Sequence, residues 1–174
     1  MKNHSKGLAF PTVEKAIEEL KDGKIILIVD DETRENEGDL AIAAEKVTAD
    51  HINFMAKHGR GLICMPIIGN RLDSLKIPLM ADGLGKGSKH STAFTVSVDY
   101  LKNTSTGISA EDRARTVRGI LDESSNPEDF AHGGHLFPLR YEEGGVLVRN
   151  GHTEAIVDLV MIAGLYPAGV ICEV

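Results

Sequence analysis

An acidic segment near the start of the chain carries the residue types that metal chemistry needs. Residues 30–39 hold six carboxylates and one arginine, and they directly follow the apolar residues 25–29. Six like charges repel one another unless a cation gathers them, and hard divalent cations such as Mg²⁺ prefer oxygen ligands of this kind. The segment therefore indicates a metal-dependent active site, although a solvated acidic loop explains the same charges equally well.

A second candidate site lies at the predicted start of a helix, residues 149–154. The exposed backbone N–H groups and the positive end of the helix dipole favour a bound anion there. Arg149 can form paired hydrogen bonds with a phosphate, and Thr153 can donate its hydroxyl. The same positive end disfavours protonation of His152, which keeps an imidazole lone pair for a metal. The alternative is an ordinary helix cap followed by a surface histidine.

Three further places carry possible chemistry. Residues 104–113 place hydroxyls and a glycine before another predicted helix, so they form either a second anion site or an ordinary capped helix. They lack the GxxxxGK spacing, and nucleotide binding is not indicated. His135, next to glycines, is either a general acid or base or a histidine in a turn. Glu173 ends an apolar run, so its carboxylate either points outward or lies in a pocket.

Composition limits the classes of partner. The net charge of -7, the 5% aromatic content and the absence of Trp argue against nucleic acid, whose binding proteins carry basic patches and stacking aromatics. A local basic pocket for a small anionic substrate remains compatible with this charge. The sequence shows neither a signal-peptide pattern nor an apolar run that could span a membrane, so we predict a cytoplasmic protein. Cys64 and Cys172 lie in apolar runs, which favours reduced thiols in a core.

The elements that must position these residues follow from hydrophobic periodicity and capping signals. Helices are predicted after Thr12 and over 49–59, 71–75, 109–121 and 152–163. Strands are predicted over 25–29, 40–45, 61–66, 94–99, 136–139, 146–149 and 169–174. Residues 82–91, rich in Gly, Lys and Ser, are predicted to form a mobile surface loop. Because strands and helices mix without strict alternation, we predict an α+β fold: a single compact domain with a mixed sheet and surrounding helices.

Four motifs, taken in order, resemble the 3,4-dihydroxy-2-butanone 4-phosphate synthase family of riboflavin biosynthesis. They are residues 30–39, 106–113, 134–139 and 151–154, and the similarity covers nearly the whole chain. The resemblance implies conversion of D-ribulose 5-phosphate into L-3,4-dihydroxy-2-butanone 4-phosphate and formate through a metal-stabilised enediolate. It also implies Mg²⁺ or Mn²⁺ as cofactor and a homodimer with active sites near the interface.

The resemblance also implies roles for individual residues. Glu35 and His152 correspond to the metal ligands. The predicted contacts with the sugar phosphate are Arg34, Glu35, Asp39, Thr106, Arg149, Asn150, Gly151, His152, Thr153 and Glu173. Thr106 corresponds to a phosphate contact that the partner subunit supplies. Glu173 and His135 correspond to residues needed for catalysis, and Cys64 to a position near the substrate. The chemistry itself adds Asp30 and Asp39 as carboxylates that could move protons.

The extent of the chain bears on its domain assignment. Single-function members of the family typically continue beyond the position of Val174, and two-function members continue into a GTP cyclohydrolase II domain. We therefore expect residues 1–174 to be a synthase domain that is truncated at its C-terminus or excised from a bifunctional chain. Two alternatives stay open: a divalent-cation-binding regulatory module of the same fold without catalysis, and a different metal-dependent isomerase or aldolase acting on pentose phosphates.

Overall fold

A five-stranded mixed sheet is the centre of the computed structural model, which describes residues 10–30, 36–80 and 92–174. The strands are β1 (Ile26–Val29), β2 (Gly38–Ala43), β3 (Ile63–Ile67), β6 (Phe137–Arg140) and β7 (Gly169–Glu173), in the order β1-β2-β7-β3-β6. β3 and β6 run parallel, and the other neighbouring strands are antiparallel. Three predictions concern residues outside the described ranges: the sugar-phosphate contact Arg34, the metal ligand Glu35 and the loop 82–91.

Alternation along the strands gives the sheet two buried faces. In β7, Val170 and Cys172 belong to one hydrophobic cluster, whereas Ile171 belongs to the other. The same alternation separates Ile42 from Ala41 in β2. Side chains on a strand point to opposite faces in turn, so the acidic residues at the strand ends must follow one face or the other.

Five helices cover these faces. They are α1 (Val13–Lys21), α2 (Ala49–Phe54), α3 (Gly69–Ser74), α4 (Ala110–Leu121) and α5 (His152–Ile162). Helices α2, α3 and α4 bury Ile52, Leu72 and Ile120 in one cluster, while α1 and α5 bury Leu20 and Val160 in the other. The molecule is therefore layered as helices, sheet and helices, and the predicted α+β fold with a mixed sheet and surrounding helices is confirmed.

The ends of the helices follow the predicted capping chemistry. The Thr12 hydroxyl accepts a hydrogen bond from the Lys15 N–H, and Ser109 accepts one from the Asp112 N–H. α2 continues as a π-helical turn over Met55–Gly59 and ends at Arg60, whose φ of 68° is left-handed. The predicted helix over 49–59 is thus present, with a change of helix type in its second half.

Two predicted strands differ from the structure. Residues 146–149 were predicted to form a strand, but Gly145–Leu147 is a 3₁₀ turn, because the Val146 N–H donates to the Asp158 carboxylate instead of to a neighbouring strand. The predicted strand over 94–99 is also wrong in extent: β4 covers Val98–Tyr100, and Phe94 and Thr95 make only isolated bridges.

A small second sheet, which the sequence did not predict, consists of β4 and β5 (Phe130–His132). The pair is antiparallel, with Val98 opposite His132. β4 packs against α4, and the turn that contains His135 is hydrogen-bonded to Ser97 and Asp99. Within the described ranges, no helix is long and apolar enough to cross a bilayer.

Candidate functional site

A cavity of about 180 Å³ opens where β2, β3 and β7 meet the start of α5. It lies on the face of the sheet covered by α1 and α5, as shown by Ile171 and Leu139 in its wall. The titratable side chains that line it are Glu37, Asp39, Cys64, Arg149, His152 and Glu173. Residues that are more than a hundred positions apart in the sequence therefore converge on one space.

Strand pairing places two of the acids side by side. Asp39 of β2 lies opposite Glu173 of β7 in the antiparallel register. Asp39 is two residues from Ala41 on β2, and Glu173 is two residues from Ile171 on β7. Alternate residues of a strand share a face, so both acids face the α5 side of the sheet. Asp39 is buried and Glu173 is exposed, which gives the cavity a buried carboxylate beside an accessible one.

The first residue of α5 brings the imidazole to the same place. His152 Nδ1 lies 3.3 Å from Asp39 Oδ1, and both side chains are about 90% buried, at 10% and 9% exposure. A carboxylate on one ring nitrogen fixes the orientation of a histidine and directs its other nitrogen toward a ligand. This arrangement suits His152 as a metal ligand, with Asp39 as the group that orients it.

A buried ion pair holds the arginine of the cavity. Arg149 Nη1 donates to Glu154 Oε2, and Arg149 Nη2 donates to the Thr92 hydroxyl at 2.9 Å. Glu154 is 1% exposed, and its other oxygen accepts from the Glu142 N–H at 3.3 Å. Because the guanidinium is planar, two fixed N–H groups determine the direction of the others. The pair therefore pre-orients a cation at the rim of an otherwise acidic cavity.

The residues between Arg149 and Glu154 divide into two groups. Thr153 is buried and lines the cavity, and its predicted contact with the substrate stays a prediction. Gly151 caps α5, and a Cβ there would overlap the Arg149 guanidinium, which explains the glycine. Asn150 is exposed and does not line the cavity.

Cys64 lines the cavity as a neutral thiol. Burial raises the pKa of Cys64 to about 12, and the nearby carboxylates of Asp39 and Glu173 act in the same direction. The thiolate is the nucleophilic form of cysteine, and this environment suppresses it. The position near the substrate is consistent with the structure, whereas the surroundings do not favour nucleophilic chemistry by this residue.

Asp30 closes the base of the acidic segment. Its Oδ1 accepts the Glu37 N–H at 2.8 Å, and its own N–H donates to the Glu37 carbonyl at 3.3 Å. Asp30 does not line the cavity, while Glu37 does. The structure thus pairs Asp30 with Glu37, and it places Glu37, an acid not singled out from the sequence, at the cavity wall.

His135 and Thr106 lie together in a separate cluster. Neither lines the cavity. The His135 ring contacts Asp99, whose carboxylate also lies against Gly107, the residue after Thr106. Thr106 is exposed and His135 is 38% exposed, so both present polar groups on the surface. The structure therefore places His135 and the segment that contains Thr106 at the same carboxylate, and it places neither at the cavity of the same chain.

The donor set of the cavity fits a hard divalent cation. Three carboxylates and one imidazole lie around it, and Mg²⁺ prefers oxygen ligands. Among the residues that the structure describes, no group of three or more His, Cys, Asp or Glu side chains is arranged to hold a metal ion. The pairing of Glu35 with His152 lies partly outside those residues and stays a prediction.

A larger groove elsewhere does not compete as an active site. It measures about 550 Å³ and runs along α4, between Tyr100 and Arg118. Its arginines Arg115 and Arg118 both bind Glu111, which belongs to the candidate anion segment 104–113. None of the described residues predicted for metal binding, sugar-phosphate binding or catalysis lines the groove. The smaller cavity is therefore the candidate active site.

Four site residues were not assigned from the sequence. Glu37 and Thr92 line the cavity, Glu154 holds Arg149, and Asp99 holds His135. Glu37 shared the acidic pattern of its neighbours, and Glu154 ended a recognised motif. Thr92 and Asp99 carry no local signal, because their roles depend on pairing with residues far away in the sequence.

Comparison with known proteins gives a consistent result. The family model of 3,4-dihydroxy-2-butanone 4-phosphate synthase matches residues 14–174. The synthase of that name from Agrobacterium fabrum is 55% identical over 93% of this chain and 75% of its own length. The monofunctional riboflavin biosynthesis protein RIBA 2 of Arabidopsis thaliana is 52% identical over 95% of this chain, which spans only 35% of that protein. A crystal structure of a 3,4-dihydroxy-2-butanone 4-phosphate synthase in complex with two magnesium ions superposes with a TM-score of 0.87 at 43% identity, over 95% of this chain and 76% of the other.

Proposed function

The chain belongs to the 3,4-dihydroxy-2-butanone 4-phosphate synthase family, and from this membership we propose that it converts D-ribulose 5-phosphate into L-3,4-dihydroxy-2-butanone 4-phosphate and formate in riboflavin biosynthesis. The observation that carries the proposal is the convergence of Asp39, His152, Glu173 and Arg149 on one cavity. That cavity combines acids that can transfer protons with a cation that can bind a phosphate.

The phosphate of the substrate binds at the start of α5. Arg149 lines the cavity there, and the Thr153 hydroxyl and the first N–H groups of the helix point to the same region. The Glu154 carboxylate keeps the guanidinium in place before substrate arrives. Substrate binding then does not carry the entropic cost of ordering the long Arg149 side chain.

Glu35 and His152 would hold Mg²⁺ or Mn²⁺. Asp39, 3.3 Å from His152 Nδ1, orients the imidazole for this role. When bound, the divalent ion would supply positive charge that stabilises an enediolate and positions its oxygens.

The carboxylates on β2 and β7 serve the proton transfers. Loss of one carbon from a ketose phosphate needs a proton to be removed next to a carbonyl, followed by a skeletal shift and C–C cleavage. Asp39 and Glu173 face the same space from adjacent strands, so they can act on the same substrate. Cys64 remains protonated and contributes a neutral wall to the cavity.

A second subunit completes the site. His135 and Thr106 lie in one surface cluster around Asp99 and do not line the cavity of their own chain. We propose that a homodimer brings this cluster to the cavity of the partner. The active sites then lie near the interface between two identical chains.

Formate release tests the activity. The chain is incubated with ribulose 5-phosphate and Mg²⁺, with EDTA as control, and Glu35→Gln is compared with wild type. We expect metal-dependent formate from wild type and none from the variant. Absence of any product would favour a regulatory module, product without formate would favour an isomerase or aldolase, and wild-type turnover by Glu35→Gln would contradict the ligand assignment.

Subunit complementation tests the shared site. His135→Ala and His152→Ala are each expected to be inactive. Co-expressed at equal levels with random pairing, half of the dimers are mixed and each of those has one intact site, which predicts about 25% of wild-type activity. If both residues act within one chain, the mixture stays inactive.

A further inference from the structure

The Asp99 carboxylate uses both of its oxygens on a single residue. Its Oδ1 accepts the backbone N–H of His135 at 2.9 Å, and its Oδ2 lies 2.8 Å from His135 Nδ1. The acid is 14% exposed and the imidazole 38% exposed, so the acid lies beneath the ring. The ring therefore turns its Nδ1 edge inward and its Nε2 edge toward the surface.

The turn around His135 does not need this carboxylate for its backbone shape. The N–H groups of Gly133 and Gly134 both donate to the Ser97 carbonyl, at 2.8 and 3.2 Å. Val98 and Leu136 exchange two further hydrogen bonds, at 2.9 and 3.2 Å. Four backbone hydrogen bonds thus hold the turn against β4, and the contact with the ring adds something other than stability of the turn.

The segments that contain Gly107 and Gly134 pack closely around the Asp99 carboxylate. A Cβ at Gly107 or at Gly134 would overlap Asp99. Gly107 has φ of +87°, which also favours glycine. The chain is therefore built closely around the carboxylate on both sides, and the residue before Gly107 is Thr106, the other member of the cluster.

We propose that Asp99 is a positioning residue that fixes the tautomer of His135, with the proton on Nδ1 and the lone pair on the outward Nε2. Nδ1–H donates to the carboxylate, and the exposed nitrogen can then accept a proton from substrate. This inference rests on the proposed function, in which His135 takes part in turnover. It extends that function by naming the group that makes the imidazole a base on its exposed edge.

An amide at this position should reverse the tautomer. The backbone N–H of His135 can only donate, so in Asp99→Asn the amide oxygen must stay opposite it. The NH₂ group then faces Nδ1, which must accept, and the ring proton moves to Nε2. The variant keeps the shape of the carboxylate but removes the lone pair from the outward edge.

Nitrogen-15 NMR of the imidazole rings distinguishes the two tautomers without reference to activity. Spectra are recorded at about pH 9, where histidine side chains are generally uncharged, and His135→Gln assigns the signal. We expect the Nδ1–H form in wild type and the Nε2–H form in Asp99→Asn. The Nε2–H form in the wild-type protein, or an unchanged tautomer in a folded variant, would overturn the proposal.

Turnover provides the second measurement. We expect kcat of Asp99→Asn to fall by about 10²–10⁴-fold with little change in KM, because the base is lost while the phosphate contacts remain. Asp73→Asn, which removes an exposed acid bonded to Arg140, is the matched control and should change neither kcat nor the tautomer. A reversed tautomer with wild-type kcat in Asp99→Asn would refute the claim that this tautomer is needed for turnover. If His135→Ala were active as well, the role of His135 in turnover would itself be refuted.

Discussion

Replacing Glu154 by Gln should be among the most damaging changes of a single polar group in this chain. Glu154 is 1% exposed and pairs with Arg149, which is 11% exposed. Removing one partner of a buried ion pair costs about 3–5 kcal/mol. Gln turns an NH₂ donor toward the guanidinium, which is unfavourable. Because it still offers an oxygen to the Glu142 N–H, we expect the lower end of this range, about 3 kcal/mol.

The expected change in melting temperature follows from the size of the chain. For domains of 150–250 residues, 1 kcal/mol corresponds to about 2–4 °C, so Glu154→Gln should lower Tm by about 6–12 °C. Glu111→Gln is the control, because Glu111 bonds Arg115 and Arg118 but its side chain is 48% exposed. Exposed helix pairs contribute about 0.3–0.5 kcal/mol each, so loss of both pairs amounts to about 1 kcal/mol or less and predicts a loss of at most about 4 °C.

Thermal unfolding followed by circular dichroism, at one fixed protein concentration, measures Tm of both variants. Initial rates of formate release measure KM. We expect KM for ribulose 5-phosphate to rise in Glu154→Gln, since Arg149 loses one of the groups that orient it. In the background of Arg149→Met, adding Glu154→Gln should restore stability, because the double variant no longer buries a carboxylate without its guanidinium. A loss of Tm no larger than that of Glu111→Gln would refute the burial argument.

Three further predictions concern single residues. In the folded protein at about pH 8, iodoacetamide should label Cys64 about 10³-fold more slowly than an ordinary cysteine, because its pKa is raised from 9.0 to about 12, and peptide mass spectrometry with a urea control measures this. Gly61→Ala should cost about 1–3 kcal/mol and reduce formate release, since the new Cβ would overlap the backbone of Glu173, and unchanged Tm and turnover would contradict the packing. Hydrogen bonds, led by the one that the Ser105 hydroxyl donates, lower the pKa of Asp112 in the folded protein. The ionised Asp112 carboxylate therefore stabilises the fold fully above its unfolded-state pKa of about 3.9, and this stabilisation is lost as pH falls through the lower pKa of the folded state. A plot of Tm against pH should be flatter for Asp112→Asn than for wild type.

Local sequence patterns predicted the elements whose signals are local. Thr12 and Ser109 mark the starts of α1 and α4 because a capping hydroxyl acts within three residues of itself. The apolar run at 146–148 failed as a strand because a distant acid, Asp158, accepts the Val146 N–H and holds a turn instead. Tertiary contacts of this kind override the local preference.

The site residues likewise separate into those with a local sequence signal and those without one. His152 and Arg149 were identified from a helix start and a resemblance, and the structure places both at the cavity. Glu154 and Asp99 were not, because a surface acid and a buried acid look alike in a sequence. Only the fold shows that one holds a guanidinium and the other an imidazole.

The position of β7 has a consequence for biosynthesis on the ribosome. β7 is the last strand along the chain, yet it lies in the middle of the sheet and joins β2 to β3. Until it emerges, a nascent chain holds two half-sheets with unsatisfied edges, and neither acid of the β2–β7 pair has its neighbour. Assembly of the cavity therefore waits until residues 169–173 have been translated, and the exposed strand edges in the interval are a natural target for chaperones.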